Sequence, residues 1–281
     1  MKRLVLIFFI VTALVAVAAL TSCNEDYDNL MEFPGIRNKF LVDKVYDYNN
    51  NLITEYIYDK NHRLVKSIYT NKLIHPVQTV DMKGTTEFIY KNGLVSKIVD
   101  KTRQHYFYPE TGHEYTYNFN SETTYEYSRG KLVKVDGQDL NLNYENGRVV
   151  SIGDNVEPYI NTIVYDDSEN IIEHIIIGHE LNMFGDPIPG TTQRIVLSYE
   201  YDNNPKPNFG LDYLFTYQPI PGMGTETGYI GGLSRNNLTK HANTTWTYTY
   251  NEHGLPETIE TKWAGIETLE PMLMRITYKT K

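Results

Sequence analysis

Polar and apolar residues alternate in short blocks along most of the chain, and one kind of block recurs. An aromatic or aliphatic residue, any residue and a tyrosine are followed by a polar turn and then by Leu, Val or Ile. Tyrosine and β-branched residues favour the pleated surface of a strand, and period-two alternation places every second side chain on one face. Each block therefore predicts a β-hairpin. The blocks begin at Tyr46, Tyr56, Phe88, Tyr125, Leu142, Ile163 and Tyr248.

The turns inside these blocks carry the strongest local signals. Asn92-Gly93 and Asn146-Gly147 are typical of two-residue type I′ turns, because both central residues of such a turn need a positive φ. Arg129-Gly130 and His253-Gly254 indicate the same geometry less strongly. Asp166-Asp167 also falls in a hairpin turn, where an Asp side chain caps the backbone. We therefore interpret this acidic pair as a turn cap and not as a pair of catalytic carboxylates.

Consecutive hairpins predict an all-β fold, an antiparallel meander that forms a strongly curved or barrel-like sheet. Few helices are expected, and the candidates are short segments at Leu211 to Phe215 and at Tyr229 to Leu233. No stretch of the sequence is typical of an interdomain linker. We therefore expect residues 39–281 to form a single β-rich domain.

Long insertions at about residues 100–122, 178–192 and 203–245 interrupt the series of hairpins. They hold much of the Pro and Gly, and we interpret them as loops. Loops of this length within one domain are uncommon and often functional. Binding residues are therefore expected on the insertions.

The amino-terminal residues differ in composition from the rest of the chain. Lys2 and Arg3 precede an uncharged, mostly apolar stretch from Leu4 to Leu20, and Thr21-Ser22-Cys23 follows. A charged start, an apolar middle and small residues at the cut are typical of a secretory signal peptide. The cysteine at the cut resembles the lipobox of bacterial lipoproteins, in which the thiol receives a diacylglycerol before the signal is removed.

We expect residues 1–22 to be a signal peptide that is removed, and residues 23–38 to be a flexible tether lipidated at Cys23. A retained transmembrane anchor is the alternative, since about 20 apolar residues span a bilayer. The tether begins Asn24-Glu25-Asp26-Tyr27-Asp28, which resembles the surface-export signal of Bacteroides-type lipoproteins. This resemblance implies a lipid-anchored protein exposed on the bacterial outer membrane, whereas the other interpretation is a simple solvated linker.

Charge and candidate chemistry narrow the function. The formal net charge is −9, which argues against a general nucleic-acid binder because such a protein needs a basic surface. A single cysteine rules out an intramolecular disulfide framework and a cysteine-rich metal cluster. His174 and His179, five positions apart, would point to opposite faces of a regular strand. The sequence indicates no metal site, no cofactor and no catalytic constellation, so we do not expect an enzyme.

Two parts of the chain resemble known families. Tyr56-Ile57-Tyr58-Asp59 is similar to the YD repeat of Rhs-type shell proteins. The order of Tyr199-Glu200-Tyr201-Asp202, residues 233–240 and residues 248–256 resembles a family of Bacteroides-type lipoproteins of unknown function, described as having a porin-like fold. The resemblance covers about residues 40–279. It implies fold and location only, since the family supplies no catalytic or binding residues.

Aromatic residues are the remaining candidates for binding. The chain has 24 Tyr, 10 Phe and 2 Trp, and most tyrosines recur with the hairpins, where we expect them to pack across strands. Phe107 and Tyr213 are among the insertion aromatics that no repeat requires. Tyrosine offers flat apolar area and a hydroxyl for gripping sugars or peptides, while packing of the loops on the sheet is the alternative. The candidate ligand-binding residues are Tyr106, Tyr108, Phe184, Tyr217 and Tyr229.

The sequence leaves three hypotheses about function. The first is a surface-exposed lipoprotein that binds a glycan or another macromolecule through its loops. The second is a periplasm-facing lipoprotein that shelters an apolar ligand or supports envelope assembly, and the third is a hydrolase. The expected partners are the membrane, through the lipid, and a glycan or protein ligand, with the chain itself a monomer.

Replacing the lipobox cysteine tests the predicted anchor. In Cys23→Ser no thiol is available for the thioether, so we expect the precursor to stay uncut or the protein to detach from the membrane. Detergent phase partitioning and the mass of the amino-terminal peptide measure this. A variant that still partitions into detergent with its signal removed would disprove the lipoprotein assignment.

Overall fold

The chain forms an antiparallel meander of strands, as the hairpin blocks predicted. A computed structural model describes residues 39–75, 77–153, 160–180, 182, 186–214, 216, 232–265 and 271–281. Among these residues, helical backbone is confined to Lys39, Gly232 and Leu233. The strands are β1 Phe40–Tyr46, β2 Leu52–Tyr58, β3 Leu64–His75, β4 Gln78–Lys91, β5 Leu94–Tyr108, β6 His113–Ser128, β7 Lys131–Val135, β8 Gln138–Asp139, β9 Leu142–Glu145, β10 Arg148–Ile152, β11 Ile160–Tyr165, β12 Ile171–Gly178, β13 Gln193–Pro205, β14 Asn236–His241, β15 Thr244–Tyr250, β16 Pro256–Trp263 and β17 Met272–Thr280.

The pairing order requires the sheet to curl strongly. Each strand from β1 to β8 pairs with the next, and each strand from β9 to β17 does the same. Strand β1 also pairs with β17, with Val45 opposite Ile276. The sheet edges are therefore β8 and β9, which follow each other in the chain with only Leu140 and Asn141 between them. Since a residue spans at most about 3.6 Å, the two edges lie close together, although no ladder joins them.

Inward-facing side chains from both ends of the chain fill one hydrophobic core. Val45 of β1, Phe88 of β4 and Ile163 of β11 belong to the same buried cluster as Trp246 and Ile276. A curled sheet explains this, because every strand then presents one face to a common interior. Burial of this apolar surface stabilises the fold by about 25 cal/mol per Å².

The two-residue turns have the geometry that their sequences predicted. Both residues of Asn92-Gly93, Asn146-Gly147 and Arg129-Gly130 have positive φ, between 50° and 83°. His253 was expected to behave in the same way, but only Gly254 of that pair has positive φ. The turn at His253-Gly254 belongs to a second class.

This second class is a longer loop closed by an Asp or Asn side chain. Asp59 Oδ1 accepts hydrogen bonds from the backbone N–H groups of Asn61 at 2.8 Å and Arg63 at 3.0 Å. Asn251 does the same for His253 at 2.9 Å and Leu255 at 3.1 Å. The side chain thus replaces backbone partners that a wide turn leaves unsatisfied.

Asp166, the first residue of the predicted acidic turn cap, belongs to this class. Its Oδ1 accepts the backbone N–H of Asn170 at 2.8 Å. The interpretation as a turn cap is confirmed for Asp166.

The recurring tyrosines join one strand to the strand before it. The hydroxyl of Tyr58 donates to the carbonyl of Val42 at 2.9 Å, and that of Tyr165 donates to Val149 at 2.9 Å. We call this contact the tyrosine latch. The same latch is formed by Tyr90 with Leu64, Tyr248 with Leu238 and Tyr278 with Pro256. Tyr144 of β9 donates in the same way to Leu132 of β7, two strands earlier in the chain. Burial raises the pKa of Tyr58, Tyr90, Tyr165 and Tyr248 well above the ordinary value, and that of Tyr144 to about 12.

Cations cover several latch tyrosines. Arg63 lies 4.7 Å from the ring centroid of Tyr90, whose hydroxyl binds the carbonyl of the next residue, Leu64. Arg148 likewise lies 5.6 Å from the ring centroid of Tyr165, whose hydroxyl binds the carbonyl of the residue after Arg148, Val149. Arg63 and Arg148 therefore stabilise the rings of the latch tyrosines, because a cation over an aromatic face is attracted by the ring quadrupole.

In two hairpins a side chain from the long insertion replaces the direct latch. The ring of Tyr127 packs on Tyr213 with 6.3 Å between centroids, and the Tyr213 hydroxyl accepts the Val95 N–H at 3.2 Å. At Tyr201, the Ser234 hydroxyl donates to the tyrosine oxygen at 2.8 Å and accepts the Ile171 N–H. Tyr213 is therefore part of the interior, contrary to our view of it as a loop aromatic.

The insertion at 203–245 is not a loop throughout. Pro205 ends β13, and the chain then enters the interior, where Phe209, Leu211 and Leu214 are buried. Residues 211–214 form a turn there and not the helix that we predicted. The later part of the insertion forms β14. The prolines correctly indicated the end of a strand, but the apolar residues that follow them bury themselves against the sheet.

The insertion at 100–122 is also not a loop, because it extends β5 and begins β6. The insertion at 178–192 does form a loop where it is described, between β12 and β13. Long strands were missed at 100–122 because polar residues alternate there with aromatic ones, without the aliphatic residues of the other hairpins.

Removing a latch hydroxyl should destabilise the fold while leaving the packing of the ring in place. We expect Tyr58→Phe and Tyr165→Phe each to lower the free energy of unfolding by about 1 kcal/mol, because each deletes one hydrogen bond in a partly buried site. Urea denaturation measures this. The matched control is Tyr48→Phe, whose ring is 73% exposed and whose change should be close to zero. Equal effects at all three positions would contradict the latch.

Alkaline pH should unfold the protein through the same tyrosines. Their pKa values are raised in the folded state, so the folded chain binds these protons more tightly than the unfolded chain does. This contribution is complete below about pH 10, the ordinary tyrosine pKa, and is lost as the pH rises toward the folded values, such as about 12 for Tyr144. Urea midpoints should fall above about pH 10, with buried tyrosines ionising only on unfolding. Constant midpoints across that range would contradict the prediction.

Candidate functional site

Strands β5 and β6 continue well past the core and form an arm of the sheet. The last core residue of β5 toward the arm is Ile98, and that of β6 is Tyr125. No residue from Asp100 to Thr124 is buried, and all of these residues lie in the described structure. At about 3.3 Å per residue, the part of β5 from Asp100 to Tyr108 is roughly 26 Å long. We call residues 100–124 the arm.

One face of the arm carries a continuous group of aromatic rings. The register places Tyr106 opposite Tyr115 and Tyr108 opposite His113, without a shift along the pairing of the two strands. Tyr106 and Tyr115 stack with 4.7 Å between ring centroids, and Tyr117 meets Tyr115 edge to face at 5.1 Å. We call this the aromatic face, and it consists of Tyr106, Tyr108, Tyr115, Tyr117 and Phe119.

The aromatic face is the continuation of the side that faces the core. Ile98 and Tyr106 are an even number of residues apart in an unbroken stretch of ladder, so their side chains point to the same side of the sheet. Beyond the core, fewer side chains pack over this side of the sheet. Tyr117 and Phe119 are accordingly 53% and 50% exposed. Contiguous exposed apolar surface of this kind marks binding sites.

Hydrogen bonds between the aromatic side chains fix their orientation. The hydroxyls of Tyr108 and Tyr115 lie 3.0 Å apart, and the Tyr106 hydroxyl donates to Gln104 Oε1 at 2.7 Å. The hydrogen bond to Tyr108 raises the pKa of Tyr115 to about 12. The Tyr115 hydroxyl is therefore protonated at neutral pH, and the hydrogen bonds hold the rings of the face in a fixed orientation.

A glycine widens the flat surface beside the aromatic face. A Cβ atom on Gly84 would lie 2.3 Å from Cζ of Tyr69, so the ring of Tyr69 lies directly over the backbone there. The Tyr69 hydroxyl reaches across β4 and hydrogen-bonds Thr102 Oγ1 of β5. Thr102 is paired with Phe119, so Tyr69 and Phe119 lie on either side of Thr102.

The structure brings together only some of the predicted binding residues. Tyr106 and Tyr108 lie on the aromatic face, although in a strand and not in a loop. Phe107 points to the opposite side of the arm. The sequence analysis missed Tyr115, Tyr117 and Phe119, although their strict alternation is a strand signal that would have identified them. Cys23, Phe184, Tyr217 and Tyr229 lie outside the described residues, so their roles stay predictions.

The histidines are distributed among separate contacts. His105 lies 3.6 Å from Glu114, and the His179 ring nitrogen lies 2.7 Å from the Thr191 carbonyl oxygen. His174 contacts Asn161, and burial lowers the pKa of His174. In the part of the chain that the structure describes, His, Cys, Asp and Glu side chains form no group of three that could hold a metal ion.

In the described ranges of the chain, no helix has the length and apolar character needed to cross a bilayer.

Comparisons with known proteins were made for the sequence and for the structure. No family model matches the chain, and no curated protein matches it either. A porin-like protein from Bacteroides uniformis is similar over 76% of this chain and 97% of its own, with 13% identity and a TM-score of 0.31. A porin-like protein from Bacteroides vulgatus is similar over 85% of this chain and 99% of its own, with 15% identity and a TM-score of 0.31.

A third solved structure, TcdB2-TccC3-TEV, is similar over 75% of this chain and 11% of its own, with 10% identity and a TM-score of 0.20. The two Bacteroides proteins share the porin-like description with the family that the sequence resemblance named, whereas the lipoprotein family itself stays a prediction. At these identities and TM-scores, the similarities carry no argument about the activity or the ligand of this chain.

Proposed function

We propose that this chain is a lipid-anchored protein of the bacterial outer membrane that binds a glycan through the aromatic face of its arm. The lipobox that ends at Cys23 supports the anchor, and the acidic residues that follow it support display on the cell surface. The proposal places the ligand on β5 and β6, whereas the sequence alone favoured loops.

The exposed rings of the aromatic face are the observation that carries this proposal. Sugar rings present flat apolar C–H surfaces together with hydroxyl groups, and tyrosine offers both an apolar ring and a polar hydroxyl. The stacked pair Tyr106 and Tyr115 and the hydrogen-bonded pair Tyr108 and Tyr115 hold the rings before any ligand arrives. A rigid site loses less conformational entropy on binding than a flexible one.

The hydroxyl contacts of the aromatic face differ from those of the latch tyrosines. The latch tyrosines donate their hydroxyls to backbone carbonyls of the neighbouring strand, as Tyr90 does to Leu64. On the arm, the Tyr106 and Tyr108 hydroxyls instead contact side chains, Gln104 and Tyr115. The arm tyrosines therefore leave their rings available for a ligand.

The structure favours this proposal over the hypothesis of a sheltered apolar ligand. In the described part of the chain, Phe209, Leu211 and Leu214 occupy the interior that such a ligand would need. The hydrolase hypothesis has no observation in its favour among the described residues.

Truncating the exposed rings should abolish binding and spare the fold. We expect Tyr117→Ala and Phe119→Ala to lose binding on an array of neutral glycans, because each removes half-exposed stacking area. Their stability should fall by much less than the roughly 3–5 kcal/mol of a core aromatic. The array signal and the thermal melting temperature measure the two effects.

Two further variants serve as controls for this experiment. Tyr48→Ala removes a ring that is more exposed than those of the aromatic face and lies elsewhere, so its array signal should not change. Tyr56→Ala removes a ring that is 1% exposed and should show the full core penalty. Unchanged glycan binding by both arm variants, or melting losses as large as that of Tyr56→Ala, would refute the proposal.

A further inference from the structure

A groove of about 380 Å³ lies on the arm side opposite to the aromatic face, and basic side chains line it. Lys83 of β4 and Arg103 of β5 are directly opposite each other in the ladder. Lys101 lies on the same face as Arg103, two residues earlier in β5. We call this site the basic groove, defined by Lys83, Lys101 and Arg103.

Three cations that neighbour the groove on this side of the sheet have acidic partners. Lys66 lies 3.5 Å from Glu87, Lys72 lies 3.8 Å from Asp81, and Lys97 lies 2.5 Å from Glu122. These pairs join neighbouring strands around the groove.

The cations of the basic groove differ from these neighbours. Within the described ranges of the chain, Lys83, Lys101 and Arg103 form no ion pair, although the chain as a whole carries a net charge of −9. Like charges directly opposite each other destabilise a pair of strands. An acidic chain that leaves adjacent cations uncompensated gives up some stability locally, and such local conflicts are expected at functional sites.

Amide side chains add neutral hydrogen-bonding groups beside the cations. Asn118 is paired with Arg103 and Asn120 with Lys101 in the ladder between β5 and β6, and both asparagines line the groove. Neither side-chain amide makes a hydrogen bond within the described part of the chain. The groove therefore offers cations together with free amide donors and acceptors in adjacent positions.

We propose that the basic groove binds an acidic polysaccharide, with a sulfate or carboxylate group on the cations and sugar hydroxyls on the asparagine amides. Arginine forms paired hydrogen bonds with such planar or tetrahedral oxyanions, and these charge-assisted bonds are among the stronger ones in proteins. The groove lies on the other side of the sheet from the aromatic face. The inference therefore goes beyond the proposed function and can fail or succeed separately.

Other polyanions fit the groove less well. A nucleic acid needs an extended basic surface for its phosphates, which three adjacent cations do not provide. An anionic membrane presents headgroups over a broad plane, whereas Lys66, Lys72 and Lys97 beside the groove are held by carboxylates. A single strand of charged sugars matches a small groove that combines cations with amides.

Binding of dextran sulfate to the full chain in detergent tests the inference, with neutral dextran of the same length as the reference. We expect dextran sulfate to bind at least about tenfold more tightly than neutral dextran, which has no anionic group for the cations of the groove. The combined variant Lys83→Gln, Lys101→Gln and Arg103→Gln should bind at least about tenfold more weakly, since each charge-assisted contact contributes on the order of a tenfold change in affinity. Isothermal titration calorimetry measures these affinities.

The matched control removes the paired cations from the same side of the sheet. Lys66→Gln, Lys72→Gln and Lys97→Gln together change the net charge equally, and this variant should bind within about twofold of the wild type because its cations are already neutralised. The groove variant should melt no earlier than the wild type, since it removes a repulsion.

Several results would overturn the inference. Equal loss of binding in the groove variant and in the matched control would show that only the overall charge matters. Binding of vesicles that contain anionic phospholipid in place of dextran sulfate would identify a membrane surface as the occupant. Early melting of the groove variant would show that the basic side chains stabilise the arm.

Discussion

The hydrogen bond from a strand tyrosine to a carbonyl of the preceding strand is the interaction on which the rest of this sheet depends. The backbone ladders pair each of these strands with its neighbour, and the latch adds a side-chain contact across the same pair. It does so at Tyr58, Tyr165 and Tyr248, in widely separated parts of the chain. Each latch satisfies a backbone carbonyl, and each ring at the same time fills space beside the core.

The latch also explains the residues around the tyrosine in the recurring block. The aliphatic residue after the turn, such as Leu64, provides the carbonyl, and its side chain is buried. The basic residue before it, such as Arg63, covers the ring of the latch tyrosine from the next strand. Where Tyr213 and Ser234 replace the direct contact, the insertion is tied into the interior by the same backbone groups.

The arm differs from the rest of the sheet because none of its residues belongs to the buried core cluster. Beyond Ile98 the ladder between β5 and β6 continues without a shift, so the backbone stays ordered while both faces become accessible. One face carries oriented aromatic rings, and the other carries the basic groove surrounded by ion pairs. A ladder that holds the side chains without burying them is a suitable support for binding groups, since rigid elements position a site more closely than loops do.

Local features of the fold were predictable from the sequence. The Asn-Gly turns need positive φ at both residues, and the Asp59 and Asn251 loops need a side chain that accepts backbone hydrogen bonds. These requirements act within a few residues, so they can be read from the sequence directly. The alternation of Tyr, Val, Ile and Leu likewise indicated an all-β meander. Within the candidate site, Tyr106 and Tyr108 were predicted as binding residues because they are aromatic and belong to no hairpin repeat.

Contacts between distant parts of the chain were decided only by the tertiary structure. The pairing of β1 with β17 and the burial of Phe209 and Leu214 depend on how far the sheet curls, which no local pattern specifies. The aromatic face and the basic groove depend on register, because a shift of one residue moves every side chain to the other face. The sequence by itself thus determined turns and strand character, whereas the interior of the fold and the two faces of the arm arose from the long-range pairing of strands.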